Sequence, residues 1–78
     1  MTDIQQKVIS IIAKTLGVEE QSITLDSHIV NDLGADSLDT TDLVMALENE
    51  FNDTVTDEKA QELMVVRDIV EYIERAFF

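Results

Sequence analysis

The chain has 78 residues, of which 45% are hydrophobic, and its formal net charge at pH 7 is -12. This length allows one small domain, and the absence of cysteine excludes disulfides and thiolate metal sites, so side-chain packing must supply the stability. The strong negative charge disfavours direct binding to nucleic acids and anionic membranes, which proteins recognise mainly through Lys and Arg.

The N-terminal segment carries no targeting pattern. Its sequence, Met-Thr-Asp-Ile-Gln-Gln, resembles neither a secretion signal nor a transit peptide. No run of about 18 apolar residues occurs, so we expect no membrane span. We therefore expect a cytoplasmic protein, and the high like charge favours a monomer.

The first predicted helix begins near Thr2 or Asp3, either of which can cap its N-terminus. Its apolar residues repeat at helical spacing and are Ile4, Val8, Ile11, Ile12 and Leu16. Gly17 follows, and glycine readily takes the left-handed conformation that ends many helices. We therefore expect an amphipathic helix that stops just before Gly17.

Residues 18–35 show no sustained helical or strand period and are predicted to form a long connection. Apolar side chains interleave with the polar ones, and they are Ile23, Leu25, Ile29, Val30 and Leu33. These side chains should pack the loop onto the rest of the domain. The only histidine, His28, lies within it, and we expect a surface or loop-packing residue.

A second helix is predicted from Ser37 to Phe51, with the Asp36 carboxylate accepting from free N–H groups of its first turn. At about 100° per residue, one stripe of apolar side chains faces the core, and it comprises Leu43, Val44, Leu47 and Phe51. Leu38 and Met45 fall on the opposite side of the helix. They are therefore predicted to face solvent.

The remaining chain is predicted to form a short helix and then a longer one. Thr56 and Asp57 suit the start of the short helix after a turn at residues 52–54, and Ala60 and Leu63 give it an apolar side. The last helix should span Val66 to Phe77, with an apolar stripe of Val66, Ile69, Val70, Ile73 and Phe77. No strand alternation competes with this pattern. We predict an all-α fold: one domain over the whole chain, a small four-helix bundle of three main helices and one short helix.

Acidic residues dominate the centre of the sequence. No Lys or Arg occurs between Lys14 and Lys59, whereas Asp and Glu recur throughout this gap. On the second helix they surround exposed apolar side chains and produce a partly apolar surface with a charged border. We expect this surface to dock a cation-rich partner through Asp36, Leu38, Asp39, Asp42, Met45 and Glu48. A solvated acidic face without a partner is the simpler alternative.

Ser37 stands at the start of this acidic helix. A catalytic serine needs a base and an oxyanion hole, but His28 is the only histidine, and Gly-Ala-Asp-Ser-Leu lacks the glycine spacing of a nucleophile elbow. A metal site is also disfavoured, because residues 31–36 do not follow the ligand pattern of an EF-hand loop. The first turn of a helix favours a negative substituent. Ser37 is therefore predicted to be an attachment point for a phosphate group, with a simple capping role as the alternative.

Residues 32–39 read Asp-Leu-Gly-Ala-Asp-Ser-Leu-Asp and closely resemble the phosphopantetheine attachment motif of acyl carrier proteins. The resemblance continues through the second helix and both C-terminal helices to residues 72–73, and it is to the free-standing bacterial carriers of fatty acid synthesis. It implies that Ser37 is esterified by 4'-phosphopantetheine from coenzyme A, whose terminal thiol holds growing acyl chains as thioesters. The protein itself would then be a non-catalytic carrier.

The same resemblance implies partners and an acyl-chain pocket. A phosphopantetheinyl transferase (holo-acyl carrier protein synthase) and the fatty acid synthesis enzymes would read the second helix through basic patches. The bundle interior would shelter the chain, and the matching positions are Leu47, Phe51, Val55, Ala60, Leu63, Ile69 and Tyr72. Ordinary core packing would explain each of these positions equally. Thr41, Thr56 and Val65 depart from the family pattern and bear on partner preference and on the edges of the C-terminal helices.

Two other functions stay open at the level of sequence. The first is a carrier of another cargo, such as an amino acid, a polyketide or a sugar-lipid intermediate, although the acidity of the second helix favours fatty acyl chains. The second is an acidic interaction module or calcium-responsive protein without a cofactor. The absence of a proper ligand loop argues against calcium.

Overall fold

The computed structural model of the protein describes residues 3–52 and 54–77. They form a 3-10 turn at Glu20–Ser22 and the helices α1 (Asp3–Leu16), α2 (Ser37–Phe51), α3 (Asp57–Glu62) and α4 (Val66–Phe77). These residues form no strand, and pairing is limited to an isolated bridge between His28 and Val65. The predicted all-α bundle of three main helices and one short helix is confirmed. No helix in the described ranges is both long and apolar enough to cross a membrane.

The end of α1 follows from the conformational freedom of one glycine. Gly17 has a φ of 69°, a left-handed conformation that costs other residues more. The N–H of Val18 then donates to the carbonyl of Ala13 at 3.1 Å, which closes the helix in a Schellman-type turn. At the other end Asp3 is the first described residue and already belongs to the helix, and the predicted cap Thr2 lies outside the described residues.

The core lies between α1, α2 and α4. α1 packs against both other long helices, and each of them turns its apolar stripe inward. The largest fully buried side chains are Val8, Ile12, Ile29, Leu43, Val66, Ile69 and Ile73. α3 has only six residues and packs less extensively on the other helices. It is therefore the helix that can be displaced at the lowest cost in free energy.

The long loop between α1 and α2 is docked onto the start of α4. The carbonyl of Ser27 accepts the N–H of Val66 at 3.0 Å, and the carbonyl of Leu25 accepts the N–H of Arg67 at 2.8 Å. The Arg67 guanidinium also pairs with the Asp26 carboxylate. These bonds use the free N–H groups of the first turn of α4, so the loop replaces the side-chain cap that such helix ends usually need.

His28 organises the turn that follows. Its Nδ1 accepts the backbone N–H groups of Val30 at 3.2 Å and Asn31 at 3.1 Å. Its own backbone N–H donates to Oδ2 of Asp32 at 2.7 Å. His28 is half-buried and is thus a loop-packing residue, as its sequence position predicts.

Local signals account for the edges of α2 and α3. Asn52 adopts a left-handed φ of 55° and ends α2, with its N–H donating to the carbonyl of Glu48. Oγ1 of Thr56 accepts the N–H of Lys59 at 3.1 Å and so caps α3. Thr56 therefore starts the short helix at the predicted position despite its departure from the family pattern.

Candidate attachment site and docking surface

Ser37 is the first residue of α2, and its neighbours provide the helix cap. The N–H of Asp39 donates to Oδ1 of Asp36 at 2.8 Å, and the N–H of Asp36 donates back to Oδ2 of Asp39 at 3.2 Å. This reciprocal capping box occupies both carboxylates. The Ser37 side chain is exposed and makes no hydrogen bond to another described residue through its hydroxyl. The capping role that sequence left open for Ser37 thus falls to Asp36 and Asp39.

Two threonines fix the backbone beneath Ser37. The hydroxyls of Thr40 and Thr41 both donate to the Ser37 carbonyl, at 2.9 and 3.0 Å. Such bonds to a carbonyl one turn earlier are common for threonine in helices. They hold the first turn of α2 in place, and they satisfy the hydroxyl groups of both threonines. This role of Thr40 was not predicted from the sequence. The signal was the position of Thr40 and Thr41 three and four residues after Ser37, the spacing at which a threonine hydroxyl reaches a helix carbonyl.

An open groove runs between α2 and α3 and includes Ser37 in its lining. One wall consists of α2 residues and the other of α3 with its flanking segments. The lining residues are Ser37, Thr40, Thr41, Val44, Met45, Glu48, Val55, Asp57, Ala60, Gln61 and Met64. The groove therefore offers a surface along which a group attached to Ser37 can lie against the protein.

An apolar cavity lies deeper between α2, α3 and α4. Its lining residues are Ile29, Thr40, Leu43, Val44, Leu47, Val55, Ala60, Leu63, Met64, Ile69, Tyr72 and Ile73. Several of these residues also line the groove, so the cavity and the groove are adjacent. The cavity volume is only about 20 Å³, room for about one water-sized sphere.

The residues predicted for an acyl-chain pocket largely meet at this cavity. All of them line it except Phe51, which is half-buried against the core. The other lining residues were not predicted for the pocket, and they are Ile29, Thr40, Leu43, Val44, Met64 and Ile73. Ile29 and Met64 belong to the loop and to the segment after α3, and their place in the lining depends on the backbone bond from the Ile29 N–H to the Met64 carbonyl at 2.8 Å.

The predicted docking residues of α2 and its cap differ in their solvent exposure and in their hydrogen bonds. Leu38 and Met45 are 68% and 55% exposed, so both apolar side chains face solvent as predicted. Asp36 and Asp42 are exposed as well, but the Asp36 carboxylate is engaged in the capping box with Asp39, which is half-buried. Glu48 is half-buried, and its Oε2 accepts the backbone N–H of Val55 at 2.8 Å.

The carboxylates of α2 make no ion pair with another residue that the structure describes. Among the described residues the ion pairs are Lys59 with Glu62 and Arg67 with Asp26, and neither includes an α2 residue. The negative field of α2 is therefore not neutralised internally and is available to an approaching cation. In the same ranges no group of three or more acidic or histidine side chains is placed to hold a metal ion.

Comparison with known proteins shows to which family the chain belongs. The family described as "Phosphopantetheine attachment site" matches residues 6–73. The chain is also 53% identical over 72 residues to the acyl carrier protein of Akkermansia muciniphila, a match that covers 92% of this chain and 90% of that protein. The chain therefore belongs to the phosphopantetheine-attachment family and, within it, to the acyl carrier proteins. The resemblance predicted from residues 32–39 is confirmed, and so is 4'-phosphopantetheine as the cofactor.

Proposed function

We propose that the protein carries growing acyl chains in fatty acid synthesis, on a 4'-phosphopantetheine arm attached to Ser37, and catalyses no reaction itself. The observation that carries this proposal is the position of Ser37. Its hydroxyl is exposed at the start of α2, the cap is supplied by its neighbours, and a groove leads from it toward an apolar cavity.

The residues around Ser37 fit a phosphate ester. The N-terminus of a 15-residue helix favours a negative group, and the free hydroxyl can be modified without loss of a hydrogen bond to the described residues. The groove walls combine apolar side chains such as Val44 and Met64 with polar ones such as Gln61. When attached, the arm supplies the thiol that bears the acyl group as a thioester.

The apolar cavity supports the proposal that the cargo is sheltered inside the bundle. Removing a methylene group from water is worth about 0.8 kcal/mol, so an acyl chain gains by entering the space next to Leu47, Leu63 and Ile69. A volume of about 20 Å³ cannot hold such a chain in the closed form. Entry therefore requires the surrounding helices to separate, and the short and weakly packed α3 is the element that can move most easily.

The exposed face of α2 supports docking by enzymes with basic patches. Leu38 and Met45 provide apolar anchors, and Asp36 and Asp42 provide charges that attract Lys and Arg. The partners proposed for this face are a phosphopantetheinyl transferase, also called holo-acyl carrier protein synthase, and the enzymes of fatty acid synthesis. We propose a cytoplasmic location, where such partners would act.

A carrier role without catalysis agrees with the state of His28. Its Nδ1 is already engaged by the N–H groups of Val30 and Asn31. The imidazole therefore serves the loop and does not offer that nitrogen as a base to Ser37. The reactive chemistry belongs to the thiol of the arm and to the enzymes that dock.

Mass spectrometry after enzymatic loading tests the proposal. The unmodified protein, incubated with coenzyme A and a phosphopantetheinyl transferase, should gain the mass of one phosphopantetheine group. Ser37→Ala should gain nothing, whereas the control Ser22→Ala, which alters an exposed serine in the loop, should be loaded normally. No gain in the wild type, or an equal gain in Ser37→Ala, would contradict attachment at this residue.

A further inference from the structure

Glu48 differs from the other acidic residues of the docking face. Its Oε2 accepts the backbone N–H of Val55 at 2.8 Å, across seven positions of the chain. The bond joins the last turns of α2 to the segment that leads into α3. The carboxylate is half-buried and also lines the groove. Glu48 is thus both part of the acidic face and a structural tie between two elements.

Val55 lies where the groove and the cavity adjoin. Its side chain is 8% exposed and belongs to the lining of both spaces. A hydrogen bond to its N–H fixes the backbone from which this side chain projects. The bond to Glu48 therefore helps to keep the side chain of Val55 in the wall between the cavity and the groove.

A cation brought by a partner would compete for the same carboxylate. No Lys or Arg occurs between Lys14 and Lys59, and the ion pairs among the described residues leave Glu48 out. A carboxylate bonds an ammonium or guanidinium group more strongly than a neutral peptide N–H, because both members of the pair are charged. Rotation of the Glu48 side chain toward such a group would take Oε2 away from Val55.

We propose that Glu48 is a positioning residue that acts as a latch on the cavity. In the free carrier its carboxylate holds Val55 in place, and a Lys or Arg of a docking enzyme draws the carboxylate away. The release of Val55 then opens the path between cavity and groove. This regulation rests on the proposed carrier function for its cargo, but the latch itself is a property of the folded chain without the arm.

Amide hydrogen exchange on the unmodified protein tests the latch. Glu48→Ala should speed exchange at the Val55 N–H by about tenfold or more, the effect of losing one hydrogen bond to a charged acceptor. Glu48→Gln should give a smaller increase, because its side-chain carbonyl can still accept the bond. Glu50→Ala on the same helix removes an exposed carboxylate of equal charge and should leave Val55 unchanged.

The Ala60 amide provides an internal reference in the same experiment. Its N–H donates to the Thr56 carbonyl at 2.8 Å and does not depend on Glu48. A general loss of stability would speed exchange at Ala60 and Val55 alike, whereas the latch predicts a change confined to Val55. Unchanged exchange at Val55 in both Glu48 variants would overturn the proposal.

The competition is tested with the peptide Arg-Arg-Arg, titrated until the amide signals of α2 stop shifting. Exchange at Val55 should rise several-fold relative to Ala60, and sodium chloride at equal ionic strength should not reproduce the effect. Glu48→Ala should show no further increase at Val55. Bound peptide that leaves Val55 protected in the wild type would show that cations bound at α2 do not release the latch, and would overturn the coupling.

The arm-bearing carrier gives a readout of cargo exposure. With an acyl chain loaded, hydroxylamine should cleave the thioester severalfold faster in Glu48→Ala than in the wild type or in Glu50→Ala. Equal cleavage rates would contradict a role of the latch in sheltering cargo. Failure of loading at Ser37 would contradict the proposed function without altering the exchange at Val55, so the two proposals fail separately.

Discussion

Asp36 and Ser37 are adjacent residues with different tasks at the start of α2. Asp36 and Asp39 exchange two backbone hydrogen bonds and complete the helix end. Ser37 is thereby relieved of the capping role that serine often has at such positions. The hydroxyl is free for modification, while Thr40 and Thr41 hold its carbonyl from within the helix. A rigid first turn therefore presents an uncommitted hydroxyl.

Substitution of Asp36 should separate its structural and electrostatic contributions. Asp36→Ala loses the cap and should lower the free energy of unfolding by about 0.5–2 kcal/mol. Asp36→Asn keeps an acceptor oxygen, and asparagine caps helices nearly as well as aspartate. The free energy of unfolding should therefore fall by only a few tenths of the decrease expected for Asp36→Ala. Urea denaturation followed by circular dichroism measures both values. Equal destabilisation by the two substitutions would show that the charge, and not the cap, is what stabilises the helix.

At the scale of elements, the sequence predicted those features that depend on neighbouring residues. The bounds of α2 and α4 are those expected, and α3 begins after Thr56, because caps and left-handed residues act within one turn. The 3-10 turn at Glu20–Ser22 was not expected. Neither was the bridge between His28 and Val65, since pairing between distant segments leaves no local periodic signal.

In the candidate site, too, features set by neighbouring residues were predicted, whereas a contact between separate segments was not. Sequence alone placed Ser37 at the helix start and predicted that Leu38 and Met45 face solvent, as the structure has them. It gave Glu48 the same docking role as Asp42, whereas the structure ties Glu48 to Val55. That contact spans a turn between two helices, and helical periodicity carries no information about it.

Asp42 is therefore the better probe of docking by α2. It is exposed, makes no ion pair among the described residues, and lies about 8 Å along the helix axis from Ser37, whereas Glu50 lies about 20 Å away. Asp42→Lys should slow loading by a phosphopantetheinyl transferase roughly fivefold at 0.1 M salt, through slower encounter. Initial rates at rising sodium chloride should converge with those of the wild type as charges are screened over about 10 Å at 0.1 M salt.

Glu50→Lys is the matched control for Asp42→Lys, because it makes the same change of charge beyond the screening distance from Ser37. Its loading rate should stay close to that of the wild type at 0.1 M salt. Equal slowing by both variants would attribute the effect to net charge rather than to a docking site. Rates of Asp42→Lys that do not respond to salt would also contradict steering by this face.

At the scale of the whole molecule, three long helices that pack closely are combined with the short helix α3, which packs less extensively. α1 packs against α2 and α4 and buries the largest apolar side chains of the core. α3 is short, and among its attachments are the Glu48 bond to Val55 and the contact of the Lys59 ammonium with the Tyr72 ring, 5.4 Å from its centre. With a net charge of -12, like charges repel one another in the compact state, and this repulsion lowers the free energy of unfolding. Displacement of α3 is the least costly way to enlarge the core.

Loading with acyl chains of increasing length should reveal this enlargement as a gain in stability. Each methylene that leaves water contributes about 0.8 kcal/mol, but the closed cavity of about 20 Å³ must first open. Short chains should therefore add little, and longer chains should raise the melting temperature stepwise until the space between α2, α3 and α4 is filled. Differential scanning calorimetry of carriers loaded with a series of saturated chains measures this. A matched chain ending in a hydroxyl group should stabilise less, since burial of that group without a partner costs free energy. Melting temperatures independent of chain length would mean that the cargo stays outside the bundle, along the groove or in solvent.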